Sequence, residues 1–290
     1  MIGLDIGQRC IRLVALERRF GRWRLQACLF EPLAQADPTV CVAALRSMIA
    51  DLPARLRRGT PAIAMAMPLC EVTLTTRVLP AGASDADAGF MAAMEAEQQA
   101  APAAVDYRVV PCSVAQAQAA SGLMLLLCPQ ACVDERAAWL DAAGCRLASL
   151  TVDALALADC YVAGTDLAAD VLLIDVGGSA LRLTAFQGAL PVYWRRHVLV
   201  QDSTPVTTVL ARALQHYRMA RLSALPDAVG KVLLCGGGAA QADVQHTIHA
   251  LTGCNPEPID PFACLRLSPP TGLCAPAFAQ VFALASQVWL

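Results

Sequence analysis

Two short stretches repeat one local pattern, an apolar run that ends in Asp-x-Gly: Asp5-Ile6-Gly7 near the start and Asp175-Val176-Gly177 in the second half. The chemistry open to such a turn is cation and phosphate binding. An aspartate at a strand end can hold a hydrated Mg²⁺ whose other ligands are phosphate oxygens and waters. The glycine lets the chain reverse without a Cβ and brings backbone N–H groups close to an anion. Gln8 and Arg9 follow the first glycine, and Gly178 and Ser179 follow the second. A third turn, Gly236-Gly237-Gly238, follows an apolar run and precedes a helical pattern, whose N-terminus would favour anions. Facing hairpins of this kind would clamp a polyphosphate, with Asp5 and Asp175 holding the metal through water. The plainer reading is that each aspartate caps its own turn. Asp153, at the start of a further helical pattern, either orients an attacking water or serves as an N-cap.

The elements that would position these residues follow from hydrophobic periodicity. Ile2–Ile6, Cys10–Glu17 and Arg22–Phe30 alternate as strands of an antiparallel meander. Helical spacing over 39–51 comes next, then strands at Ala62–Met67 and Glu71–Leu79, and a helix over Asp85–Ala101 that Pro102 ends. Strands at Asp106–Pro111 and Gly122–Cys128 lead to a helix over Asp134–Ala143 closed by Gly144, a strand at Arg146–Leu150 and a helix over Asp153–Tyr161. The opening pattern then returns as strands at Asp170–Val176, Leu181–Phe186 and Leu190–His197. Both copies place an arginine and a leucine in their second strand. Helices over Pro205–Met219 and Gln241–Leu251 flank a strand at Lys231–Cys235, and Ala277–Val288 reads as a last helix. A repeat this widely spaced is a duplicated domain, not a short solenoid unit.

Composition excludes several classes. The 290 residues carry 22 basic and 24 acidic side chains, a net charge of −2, which gives a general nucleic-acid binder no counterion-release drive. Hydrophobic residues make up 57%, enough apolar surface to offset ordering entropy, so the chain is not disordered. The mean hydropathy of +0.49 invites a membrane reading. No stretch of about 20 uninterrupted apolar residues supports one, and no basic-then-apolar leader opens the chain. All but one of the 22 basic residues are arginine, which points to genomic base composition behind the hydropathy. The 13 cysteines are odd in number and contain no C-x-x-C, so they read as small buried hydrophobes and not as a disulfide or zinc framework.

The order hairpin, hairpin, strand–Gly-Gly-Gly–helix resembles the actin-like ATPase superfamily, and within it the PilM family of type IV pilus assembly. GLDIGQRCIRLVAL is similar to that family's first phosphate motif. MEAEQQAAPAAVDYRVV (94–110) is similar to its Glu-Ala-Glu-Gln helix, and AAWLDAAGCRLASLTVDALALADC (137–160) to the segment closing the first half. VLLIDVGG and VLLCGGG are similar to its second phosphate and adenosine motifs. The resemblance implies an α/β fold of two actin-like (ribonuclease H-like) domains. The first would span 1–165 with an inserted 1C-type subdomain at about 60–150; the second would span 166–290, truncated at the IIB subdomain that walls the adenine site. It implies Asp5, Gly7, Gln8, Arg9, Asp175, Gly177, Gly178, Ser179 and Gly236–Gly238 as nucleotide contacts. ATP and Mg²⁺ are then cofactors, retained or lost.

The function so implied is that of a cytoplasmic scaffold, peripheral at the inner membrane. It would capture the N-terminal peptide of a PilN-like membrane protein and link it to the pilus motor, with ATP hydrolysis weak or absent. Met65, Met67, Leu69 and Met91 fall in or near the insert, where methionines suit either a peptide groove or a core. Three departures stand out. Gln8, Arg9 and Cys10 replace the usual small hydroxyl residues, 197–206 lacks the usual glycines, and only about a dozen residues separate Met219 from Lys231. An active actin-fold ATPase or kinase, an FtsA-like filament former and a GspL-like cytoplasmic region remain alternatives.

Overall fold

Apolar runs dominate the central strands of the two larger sheets, which are buried on both faces, and register sets which residues meet across them. The computed structural model describes residues 1–35, 37–111, 121–162, 170–200, 204–221 and 229–287. The chain forms two compact units, Met1–Ala66 with Trp139–Leu290, and Met67–Ala138.

In chain order the first unit opens with β1 (Ile2–Ile6), β2 (Cys10–Arg19) and β3 (Arg22–Pro32), then α1 (Pro38–Ala50) and β4 (Ala62–Met67). The second unit holds β5 (Thr73–Val78), α2 (Asp85–Glu97), β6 (Ala103–Pro111) and β7 (Ser121–Pro129). α3 (Gln130–Ala142) leads back to the first unit, which continues with β8 (Arg146–Val152), α4 (Asp153–Leu157), β9 (Asp170–Val176), β10 (Ala180–Gln187) and β11 (Leu190–Val198). It closes with α5 (Val206–Arg221), β12 (Val229–Cys235), α6 (Ala242–Thr252), β13 (Glu257–Pro258), α7 (Pro261–Cys264) and α8 (Ala279–Ser286).

The duplication legible in the sequence is a duplication of topology. One sheet runs β3-β2-β1-β4-β8 and the other β11-β10-β9-β12-β13. In each, a three-stranded antiparallel meander meets a parallel strand: β1 pairs β4 through Ile2↔Ile63, and β9 pairs β12 through Leu172↔Val232. On the first sheet lies α1, started by Asp37, whose carboxylate accepts from Thr39 and Val40 N–H ahead of Pro38 at the first helical position. Its buried Cys41, Leu45 and Met48 follow helical spacing and join Leu4, Ile11, Leu13 and Ile63 in one core. α5 covers the second sheet with Leu210, Ala213, Leu214 and Tyr217.

α8 belongs to the end of the chain but packs on β1. A Cβ at Gly3 would run into the carbonyl of Val281 and come within 2.8 Å of the Ala285 nitrogen, so only glycine lets the helix lie this close. Phe278, Val281, Phe282 and Phe262 pack with Val14 and Leu16 of β2 in a second cluster. The predicted helix over 277–288 is shorter, because a 3-10 turn at Ala275–Phe278 precedes it; residues 288–290 lie outside the described residues. β13 and α7 were absent from the sequence reading. The Asp260-Pro261 pair was the available signal: Asp260 accepts from Phe262 N–H at 3.0 Å and Ala263 N–H at 3.1 Å and starts α7.

The second unit is a three-stranded sheet ordered β5-β7-β6, with central β7 buried from Gly122 to Cys128. α2 begins with a capping box between Ser84 and Asp87 and packs Ala88 and Ala92 on Leu79, Leu123 and Leu125.

Candidate functional site

The two Asp-x-Gly turns are built alike. Gly7 N–H donates to the Cys10 carbonyl at 2.9 Å, and Gly177 N–H donates to the Ala180 carbonyl at 3.0 Å. Each therefore closes a tight reversal whose middle residues are Gln8-Arg9 and Gly178-Ser179. The turns lie against each other: a Cβ on Gly178 would sit 3.0 Å from Arg9 Cδ. The exposed side chain of Arg9 thus crosses from the first turn to the second.

Directly behind each turn, antiparallel register brings each aspartate against an arginine. Asp5 stands opposite Arg12 and Asp175 opposite Arg182. Arg12 Nη1 donates to Asp5 Oδ2 at 3.1 Å, and Arg182 Nη1 donates to Asp175 Oδ2 at 2.6 Å. Arg182 Nε also lies 3.8 Å from Asp153 Oδ2. The Nε atoms of both arginines are buried and have no hydrogen-bond partner among the described residues. Burial raises the Asp5 carboxyl above its ordinary range; Arg12 opposes the rise and the Asp175 charge adds to it. For Arg182, burial pulls downward, but Asp175 and Asp153 more than offset it and leave the guanidinium above its ordinary value. These arginines are the residues whose role the sequence reading missed, and their equal seven-residue spacing from the aspartates was the signal.

Asp153 is the first residue of α4 and not its N-cap, a place held by Val152. One carboxylate oxygen accepts from Ala154 N–H at 2.6 Å and the other faces Arg182. The glycine triplet does not open a helix: α6 begins at Ala242 with Gln241 at its N-cap, and a turn intervenes. Two of the triplet's glycines satisfy close packing. Gly236 has φ +86°, and a Cβ there would collide with Asp175 Oδ1 and lie 2.5 Å from the Val176 carbonyl oxygen. A Cβ on Gly238 would meet the Val176 side chain, while Gly237 faces open space. Cys235, paired with Asp175 across β12 and β9, is buried, and burial together with that carboxylate holds its thiol well above the ordinary value.

Charged partners already sit at the residues that would hold a Mg²⁺-nucleotide. Each aspartate that would face the cation already presents an oxygen to a guanidinium. The N–H groups of Gly7 and Gly177 are engaged inside their own turns, and Arg9 occupies the gap between the turns. Mg²⁺ demands a near-octahedral shell of oxygens and gives up its waters reluctantly, so it competes poorly for a carboxylate held by an in-register arginine. The departure expected at 197–206 falls partly on 201–203, and that between Met219 and Lys231 on 222–228; both lie outside the described residues.

Of the methionine candidates, Met65 and Met67 are 4% and 2% exposed, and Leu69 is 4% exposed. They face the interior because alternation in β4 and the turn after it points them inward, so they fill core and line no groove. Met91 does line a shallow pocket of about 200 Å³ in the second unit, together with Arg77, Phe90, Met94, Glu95, Gln98 and Leu125. Arg77 and Glu95 pair across it at 2.7 Å. No described helix is long and apolar enough to cross a membrane.

The sequence profile of the family described as type IV pilus assembly protein PilM matches residues 3–200. Among solved structures, the chain is similar to one described as the PilM-PilN type IV pilus biogenesis complex, at 19% identity and a TM-score of 0.72, covering 99% of this chain and 97% of that one. It is also similar to the ethanolamine utilization protein EutJ from Carboxydothermus hydrogenoformans, at 12% identity and a TM-score of 0.51, covering 98% of this chain and 88% of that one. A comparison with curated sequences returned no match. The structural likenesses establish an actin-like α/β fold, consistent with the duplicated sheets, and the profile match over most of the chain places it in the PilM family of type IV pilus assembly proteins.

Proposed function

We propose that this protein is a scaffold of type IV pilus assembly that captures the N-terminal segment of a PilN-like inner-membrane protein and couples it to the cytoplasmic motor. The observation that carries the reading is the agreement between a family match over residues 3–200 and a fold match, spanning 99% of the chain, to a PilM-PilN complex. Its place of action is then the cytoplasmic face of the inner membrane. The division into a first actin-like domain of about 1–165 with its insert, and a second of about 166–290 with a reduced adenine wall, belongs to the same proposal.

The unit Met67–Ala138 supplies the capture surface in this reading. Phe90 is 67% and Met94 42% exposed beside the pocket lined by Met91 and Leu125. Unbranched methionines adapt to an incoming apolar chain, and a short segment that orders on binding gains its affinity from a few buried anchors. The paired charges behind the Asp-x-Gly turns argue against a working ATPase or kinase, because catalysis would require Asp5 and Asp175 to leave their arginines. An FtsA-like filament former is separated by sedimentation, since the scaffold stays small with or without ATP.

The test is calorimetric titration of the partner's N-terminal peptide into the protein and into its Phe90→Asp variant. Saturable binding that the variant weakens at least tenfold is the expected result. Absence of binding by the wild-type protein would overturn capture, and unchanged binding by the variant would overturn the placement of the groove.

A further inference from the structure

The β2–β3 hairpin ends in Arg18-Arg19-Phe20-Gly21-Arg22-Trp23-Arg24. Arg19 and Arg22 form the last register pair, so Phe20-Gly21 is a two-residue turn. Both turn residues have positive φ, 50° and 72°, the signature of the mirror-image turns that match strand twist. Asparagine is the residue such a turn prefers at its first position; a bulky aromatic ring there is strained. Phe20 is nonetheless 90% exposed. Like charges face each other directly at Arg19↔Arg22, which also opposes folding of the hairpin. Strain, repulsion and an exposed aromatic ring meet within one turn.

The duplicated half provides an internal comparison. The corresponding β10–β11 turn carries Gln187, Gly188 and Ala189, with no charged residue, and the nearby Phe186 is fully buried. The fold therefore does not require an arginine-flanked aromatic apex. The hairpin is also firmly rooted. Trp23 and Leu25 pack against the Phe262–Phe282 cluster, and Arg18 lies over the Trp23 ring at 5.6 Å. Arg19 sits over Phe20 at 5.3 Å, and Arg19, Arg22 and Arg24 are exposed around it.

We propose that this apex docks on an anionic phospholipid surface, with Phe20 entering the interfacial region and the surrounding arginines meeting lipid phosphates. Guanidinium groups pair with phosphate oxygens bidentately. Basic side chains clustered at an anionic leaflet add attraction one by one, and an aromatic ring inserts where one end is apolar and the other wet. The shape favours lipid over other anions. A convex two-residue apex can enter a bilayer surface, but it offers no groove to track a nucleic-acid backbone or to enclose an acidic peptide. Four arginines between Glu17 and Arg24, in a chain of net charge −2, concentrate the attraction at this point. The contact is separate from peptide capture and would hold with no partner present.

The experiment is vesicle flotation of the full chain. One set of vesicles is pure phosphatidylcholine, and the other is equal parts phosphatidylcholine and phosphatidylglycerol. Binding to the anionic vesicles alone is expected. Arg19→Gln with Arg22→Gln should weaken it by about 25-fold, at about fivefold per arginine. Phe20→Asn should weaken it by about tenfold while raising the melting temperature, because asparagine relieves the turn. Equal binding to both vesicle types, no binding to either, or full binding by the variants would overturn the proposal. So would a lowered melting temperature for Phe20→Asn, which would give the ring a structural role. Binding of an oligonucleotide with the same arginine dependence, in place of vesicles, would also overturn it.

Discussion

Replacing Arg12 with glutamine removes the partner of Asp5 while keeping a polar side chain of similar reach on β2. The side chains of Arg12 and Asp5 are 17% and 30% exposed. This places the pair between surface ion pairs, which contribute at most about 1 kcal/mol, and buried ones, whose breakage costs about 3–5 kcal/mol. About 2 kcal/mol is the expected loss, a fall of about 4–8 °C in melting temperature for a unit of this size. The pH dependence makes the test specific. Burial already raises the Asp5 carboxyl, with Arg12 opposing and Asp175 reinforcing the rise. Without Arg12 the folded-state value moves further up. A carboxyl whose folded pKa exceeds its unfolded one contributes stability that is complete below the unfolded value and lost as pH rises through the folded value. The deficit of Arg12→Gln is therefore greatest near neutral pH and shrinks as acid protonates Asp5. Adding Asp5→Asn to Arg12→Gln should restore most of the loss at neutral pH, since no unpaired carboxylate remains. Thermal melts across the acid-to-neutral range for the wild type, the single and the double variants decide the matter. A deficit independent of pH, or a double variant no more stable than the single, would refute the reasoning.

Millimolar Mg-ATP should leave the melting temperature of the wild type unchanged; saturation at a hundredfold excess over a dissociation constant would instead add about 2.7 kcal/mol, a rise of several degrees in thermal-shift measurements. Gly236→Ala should destabilise by about 2–3 kcal/mol, read by denaturant unfolding, because the new Cβ meets Asp175 and Val176 at a positive φ. Arg221 holds the buried Asp170 through two hydrogen bonds of 2.9 Å, beside Tyr217 at 2.6 Å. Arg221→Ala should cost about 3–5 kcal/mol by leaving that carboxylate unpaired, and Tyr217→Phe about 1–2 kcal/mol; near-zero values in chemical denaturation would place Asp170 in contact with water.

Much of the fold was legible because it is written in short-range patterns. Alternation marked β1, β2 and β10 and a continuous apolar run marked β9, and the repeat of Asp-x-Gly with its following strand exposed the duplication. Prolines and glycines marked where elements ended. Asp5 and Asp175 were correctly singled out as a related pair, since turn chemistry depends only on neighbours along the chain. The short elements near the C-terminus were missed where few residues carry the pattern: two residues make β13 and four make α7, too few for periodicity to register.

The charge pairing behind the two turns was decided in three dimensions. An arginine in the second strand of each copy was visible in the sequence, but only antiparallel register puts Arg12 against Asp5 and Arg182 against Asp175. Only the approach of one turn to the other lays Arg9 over Gly178. Within the glycine triplet, Gly236 and Gly238 meet a packing requirement that spacing does not reveal, because the atoms that exclude a Cβ there come from β9 and its end, some sixty residues earlier in the chain. Met65, Met67 and Leu69 were equally ambiguous, since a methionine facing a core and one facing a groove have the same sequence signature. Local sequence determines which backbone conformations and faces are favourable. Which charges neutralise one another is set by distances of a few ångströms between strands, and those exist only once the sheets have formed.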